Sequence, residues 1–113
     1  MNYRDVALHL AKRCRKSLGG VTSFKPYDDS PETIVVTEPA KRTGHSANRK
    51  EDTYSFFIRH YASNNPFTPD WAALIHVTEQ KDVEVVPRGR VPRSVLACLQ
   101  SEYTVMGEIG HVD

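Results

Sequence analysis

The chain has 113 residues, of which 39% are apolar and 26% charged, with 15 Lys and Arg against 14 Asp and Glu and a formal charge of +1. That length holds one hydrophobic core rather than two, and so even a charge balance excludes both a histone-like polybasic chain and an acidic mimic of DNA. No run approaches the length of a membrane-spanning helix, and the start Met1-Asn2-Tyr3-Arg4-Asp5 lacks the apolar stretch of a secretory signal, so a cytoplasmic protein is expected.

Residues 3 to 18 read as a helix. Tyr3, Ala7, Leu10, Cys14 and Leu18 recur at spacings of three and four, and Val6 and Ala11 widen the stripe. Asn2 suits the N-cap, and Gly19-Gly20 is a stop signal. The other face carries Arg4, Lys12, Arg13, Arg15 and Lys16, four of them in the last turns, where the helix dipole favours cations.

Beyond the helix the period changes to two. Val21 to Lys25 reads as a weak strand ended by Pro26, and Thr33 to Thr37 as a strong one closed by Pro39. Ala40 to Asp52 has no large apolar residue and is expected to be a mobile basic loop. Thr53 to Tyr61 is a rich strand, with Tyr54, Phe56, Ile58 and His60 on one face and Ser55, Phe57, Arg59 and Tyr61 on the other. Trp71 to Val77 is nearly all apolar, as in a central strand buried on both sides. Val83 to Val86 follows as its hairpin partner, and Pro87-Arg88-Gly89-Arg90 is expected to break the sheet. Pro92 then opens a helix with Val95, Cys98, Leu99 and Tyr103 on its apolar side, and the tail after Gly107 is expected to be loose. The expected fold is α+β: a single domain over residues 1–106, with a five-stranded, mostly antiparallel sheet flanked by an N-terminal and a C-terminal helix.

Two cysteines make no disulfide framework. Cys14 and Cys98 fall on the apolar sides of the first and last helices and are expected as reduced, small, buried side chains. A bridge between them requires those two helices to pack together.

Several chemistries are excluded by spacing. The six glycines form no phosphate-binding loop, neither cysteine has a second Cys or a His within zinc-ligand spacing, and no GxSxG or HExxH motif occurs. His60 and His76 lie on neighbouring expected strands, where they are either a metal-ligating pair or packed, hydrogen-bonded core residues; the second reading is the commoner one. His9, His45 and His111 read as surface residues.

The acids Asp28, Asp29, Glu32 and Glu38, followed by Lys41, occur near strands in an order that resembles the PD-(D/E)xK nuclease-like fold. The resemblance spans residues 3 to 92 at the level of element order. It implies a strand at Thr33-Ile34-Val35-Val36 beginning with a metal-binding Asp, and a strand at Phe57-Ile58-Arg59-His60 carrying Glu-x-Lys. Thr33, Ile58 and His60 stand at those three positions, so the carboxylates that hold Mg²⁺ and the lysine that activates water are not matched.

Basic charge is unevenly distributed. Residues 1–27 hold six Lys and Arg against one acid, residues 41–50 hold four against none, and Arg88, Arg90 and Arg93 cluster before the last helix. This segregation, with no complete catalytic motif, points to a small non-enzymatic binding module of the kind that bacteria, phages and mobile elements carry. It is expected to engage nucleic acid or an acidic protein surface through Lys12, Arg13, Lys16, Lys41, Arg42, Arg49, Lys50, Arg88 and Arg90, with no cofactor, metal or membrane. Tyr54, Tyr61, Phe67 and Trp71 are the candidate stacking residues. The alternatives are an inhibitor that docks on a host factor by a sheet edge or a helix, and a metal-dependent, nuclease-like enzyme using Asp28, Glu32, Glu38 or His60. An edge strand at 21–25 or 83–86 also allows a homodimer.

Overall fold

The computed structural model describes residues 1–27, 29–44, 51–63 and 65–110, with side chains as far as Gly107. In chain order the elements are α1 (Tyr3–Leu18), β1 (Thr33–Val36), β2 (Ala40–Arg42), β3 (Thr53–Tyr61), β4 (Trp71–Thr78), β5 (Val83–Gly89) and α2 (Arg93–Gly110). The fold is α+β, with five antiparallel strands and a helix at each end. The sheet runs β1-β3-β4-β5, and β2 lies beside β1 along the same edge of β3.

Local chemistry sets the boundaries of α1. The Asn2 side chain accepts from the Asp5 amide at 2.9 Å, and Gly19 adopts a left-handed conformation (φ 67°) that lets its amide and that of Gly20 close onto the carbonyls of Lys16 and Arg15. The buried stripe Val6, Ala7, Leu10, Ala11 and Cys14 lies on the sheet, and α2 adds Val95, Leu99 and Met106 to the same core. Both helices cover one face of the sheet. That face is built from Ile34 and Val36 of β1, Tyr54, Phe56 and Ile58 of β3, Trp71, Ala73, Ile75 and Val77 of β4, and Val83 and Val85 of β5. Strand alternation sends the remaining side chains to a second face on which neither helix packs.

Four sequence expectations are corrected. Residues 21–25 form no strand; only Val21 bonds to the sheet backbone, through one parallel bridge to Val35, and beyond it Thr22, Ser23 and Lys25 are exposed while Phe24 packs its ring on Tyr61. The stretch 40–52 is not all loop: Ala40–Arg42 pairs with Thr53–Ser55, because four-residue β1 covers only the far end of nine-residue β3. Main-chain hydrogen bonds carry β2, so it lacks apolar alternation. Pairing of β5 continues through Pro87 to Gly89 rather than ending at Val86. The Thr78 amide bonds the Asp82 carbonyl at 2.9 Å, and from there the alternation makes the even residues of β5 bond β4 while Pro87 turns its missing donor to the free edge. Finally, α2 runs to Gly110, with Met106 buried near its end, so residues 108–110 of the expected loose tail are helical. The rest of the expected loop and tail, residues 45–50 and 111–113, lies outside the described residues.

β4 is buried on both faces, as its apolar run predicts. Its turn into β5 is a three-residue loop closed by the Lys81 amide on the Thr78 carbonyl, with Lys81 left-handed (φ 70°). Among the described residues no helix is long and apolar enough to cross a membrane.

Candidate functional site

The helix-free face of the sheet is chemically mixed, and strand register orders it in rows. One row crosses Val35, Arg59, Ala72 and Arg88; the next holds Phe57, Leu74 and Val86; the third holds Ala40, Ser55, His76 and Glu84; the last holds Arg42, Thr53 and Thr78. Arg59 and Arg88 are two strands apart, or roughly 10 Å between backbones, and Arg42 lies six residues along β3 from Arg59, roughly 20 Å away. Arg88 is exposed, and Arg42 and Arg59 are half-buried. None of the three has a carboxylate partner among the described residues. The Arg59 guanidinium sits 4.2 Å above the centre of the Phe57 ring, a cation–π contact that holds the charge over the apolar row. Between β2 and β4 a recess of about 300 Å³ is lined by Thr37, Glu38, Ala40, Arg42, Ser55, Phe57 and Leu74.

Within this face the Ser55 hydroxyl and His76 Nδ1 lie 2.6 Å apart, and Thr53 Oγ1 is 2.8 Å from Ser55. All three are buried, so this hydroxyl–imidazole relay is a packed polar network rather than an exposed nucleophile. His60 points to the helix side instead, and by register the two histidines are five pairs apart on opposite faces; they form no ligand pair. His60 bridges two carboxylates, with Nδ1 2.5 Å from Asp70 and Nε2 2.6 Å from Glu32, and its ring stacks parallel to Trp71 at 5.5 Å. Burial opposes the charged ring, but the hydrogen bonds and charges of Glu32 and Asp70 outweigh it and hold the pKa above the ordinary histidine value. The two nitrogens face opposite acids, so this arrangement staples the segment that enters β1 and the one that enters β4 to β3 without converging on one point. Among the described residues no group of three or more His, Cys, Asp or Glu is placed to hold a metal ion.

The basic residues singled out from sequence are distributed over both sides of the molecule. Arg42 and Arg88 lie on the helix-free face, and Arg90, exposed, follows the end of β5. Lys41 takes the opposite parity, beside Tyr54, and pairs with Asp52 at 3.6 Å. Lys12, Arg13 and Lys16 belong to α1, on the far side of the sheet. Arg13 is occupied by Glu102 at 2.6 Å, and its neighbour Arg15 is bound to the Val36 carbonyl and Glu38. Arg49 and Lys50 lie outside the described residues. The helix and strand segments therefore do not merge into one patch, because the sheet separates them. The residue missed from sequence is Arg59. Its parity with Ser55, Phe57 and Tyr61 was visible, but it stands alone in the chain and so escapes a search for basic runs. Of the aromatics, Tyr61 lies on the helix-free face against Phe24, Tyr54 and Trp71 face the helices, and Phe67 is exposed in the β3–β4 loop.

No family model, curated protein or solved structure matches the chain.

Proposed function

We propose that the protein is a small non-enzymatic binding module whose helix-free sheet face takes a single-stranded nucleic acid. The observation that carries this reading is the trio Arg42, Arg59 and Arg88, three guanidinium groups on one face without carboxylate partners among the described residues. Guanidinium groups bind phosphate in bidentate fashion, and unneutralised ones on a sheet are suited to a backbone that crosses it. Half-buried Phe57, in a row between Arg42 and Arg59, and half-buried Tyr61, one row beyond Arg59, supply apolar surface of the kind on which unpaired bases stack. A duplex has its bases inside and gains only the charge contacts, so single strands are favoured. A cytoplasmic setting, and a source among bacteria, phages or mobile elements, go with this reading.

The test is fluorescence anisotropy with labelled single-stranded DNA and RNA oligonucleotides. With three phosphate contacts the slope of log affinity against log salt is about −2, and the double variant R59A/R88A flattens it to about −0.7. K12A/K16A, altered on the other side of the sheet, leaves it unchanged. A slope that K12A/K16A flattens as much as R59A/R88A overturns the assignment to this face.

One observation favours a second reading, an interaction protein or inhibitor. A largely apolar groove of about 570 Å³ lies between α2 and β5, lined by Val83, Val85, Leu96, Leu99 and Tyr103 beside the free edge of the sheet. Nucleic-acid binding absent at low salt, with a protein partner retained after nuclease treatment, decides for it.

A further inference from the structure

The contacts that join α1 to α2 surround both cysteines. Cys14 is fully buried on α1, and Cys98 is half-buried on α2. Arg13 and Ser17, flanking Cys14 along α1, both bond the carboxylate of Glu102, one turn beyond Cys98, at 2.6 and 2.9 Å. These bonds set the turn of α1 that carries Cys14 against the turn of α2 that carries Cys98. Cys14 and Cys98 lie on these facing turns, and both are free. At the Glu102 contact opens a recess of about 380 Å³ lined by Arg13, Lys16, Ser17 and Glu102. Lys16 is exposed and has no carboxylate partner among the described residues, so it gives this recess a cation.

We propose that Cys14 and Cys98 form an oxidative modification site, at which a small anionic disulfide of the glutathione-disulfide class converts the thiol pair into an intramolecular disulfide stapling α1 to α2. Cys98, nearer the surface, loses its proton and attacks one sulfur of the reagent, forming a mixed disulfide and releasing the first reduced thiol. The Cys14 thiolate then attacks the Cys98 sulfur, and the second reduced thiol leaves. Two electrons and two protons pass from the protein to the reagent, and one S–S bond replaces another. Burial pushes the Cys14 thiol up to about 12, with the neighbouring Cys98 and Glu102 adding to it, and burial also raises Cys98. The pair is therefore slow to react, and it responds to a sustained oxidising pool rather than to trace oxidant. The bridge closes a loop of roughly 85 residues, which restricts the unfolded chain and ties together the two helices that cover the core. It lies on the opposite side of the sheet from the arginine face and does not depend on the proposed function.

The native protein is incubated with oxidised glutathione and compared with a dithiothreitol-reduced sample. The expected result is an intact mass lower by two hydrogens, no titratable thiol after unfolding, and a Tm higher by on the order of 10 °C that dithiothreitol reverses. Cys98→Ser, at the half-buried position, abolishes the change. Cys14→Ala traps glutathione on Cys98; if that variant does not fold, the wild type and Cys98→Ser still decide the matter. Lys16→Glu slows the reaction with oxidised glutathione severalfold but not that with neutral 2-hydroxyethyl disulfide. A lasting glutathione adduct on the wild type, a disulfide-linked dimer, or no loss of thiols overturns the proposal.

Discussion

Replacing His60 with Phe isolates what the two carboxylate contacts contribute, because the new ring retains the stack on Trp71 and loses both donors. In its charged form the imidazole donates to Asp70 and Glu32 together; when neutral it has one N–H and must present a lone pair to the other acid. Deprotonation thus costs one charge-assisted hydrogen bond, about 1.5–3 kcal/mol for a shielded pair. The Glu32 and Asp70 side chains are 68% and 46% exposed, so screening reduces this to about 1 kcal/mol. The pKa is raised on folding, so the stabilisation is complete below the unfolded value near 6.5 and is lost as pH rises through the higher folded value. Thermal unfolding followed by circular dichroism from pH 5.5 to 9 measures the gap between wild type and His60→Phe. The gap is expected to narrow by about 1 kcal/mol, or roughly 5 °C in Tm, across that range. Other titrating groups are common to both proteins and cancel in the difference. A gap that stays flat or widens with rising pH refutes the bridging geometry.

Two further substitution pairs test the packing. Phe56 is 1% exposed on the helix-covered face and its neighbour Phe57 is half-buried on the other, so Phe56→Ala is expected to cost about 3–5 kcal/mol in urea unfolding and Phe57→Ala less than about half of that; equal costs would mean that the two faces are misassigned. Gly89 has φ +72° and a Cβ there would meet the Asp70 carbonyl oxygen at 3.0 Å, so Gly89→Ala is expected to lower stability by about 1–3 kcal/mol, whereas Gly107→Ala, with open space on α2, raises it by about 0.5–1 kcal/mol. Thermal melts of the two alanine variants check the opposite signs.

Periodicity alone made most of the fold legible. The stripe of α1 corresponds to a surface that is buried on one side only, and the alternation of β3 correctly assigns its residues to the two faces, although Thr53 and Ser55 of the helix-free face are buried as well. β4 needed a different cue, its unbroken apolar run, because it is buried on both sides. The elements that escaped are those held by main-chain bonds rather than by side chains. Lys41 and Arg42 pair with β3 because β1 leaves that edge of the strand uncovered, a fact of tertiary arrangement that no local pattern records. Pro87 sits in β5 because its missing donor faces outward, and the direction of its backbone follows from the β4–β5 register.

The candidate site was less legible than the fold for a related reason. Runs such as Lys12-Arg13 and Lys41-Arg42 stand out in a linear sequence, yet adjacency along a strand sends neighbours to opposite faces. Lys41 and Arg42 are divided in just this way, one facing the helix side beside Asp52 and the other the arginine face. Adjacency on a helix spreads charges around a cylinder, where Arg13 and Arg15 are taken up by Glu102 and by the β1 edge. A functional cluster on a sheet is assembled from residues of equal parity on strands far apart in sequence, as Arg42, Arg59 and Arg88 are. Neither the overall charge nor its segregation along the chain therefore measures the field at a surface. What decides it is which cations retain no carboxylate after the fold has formed, and among the nine basic residues first singled out, Arg42 and Arg88 meet that condition on the helix-free face.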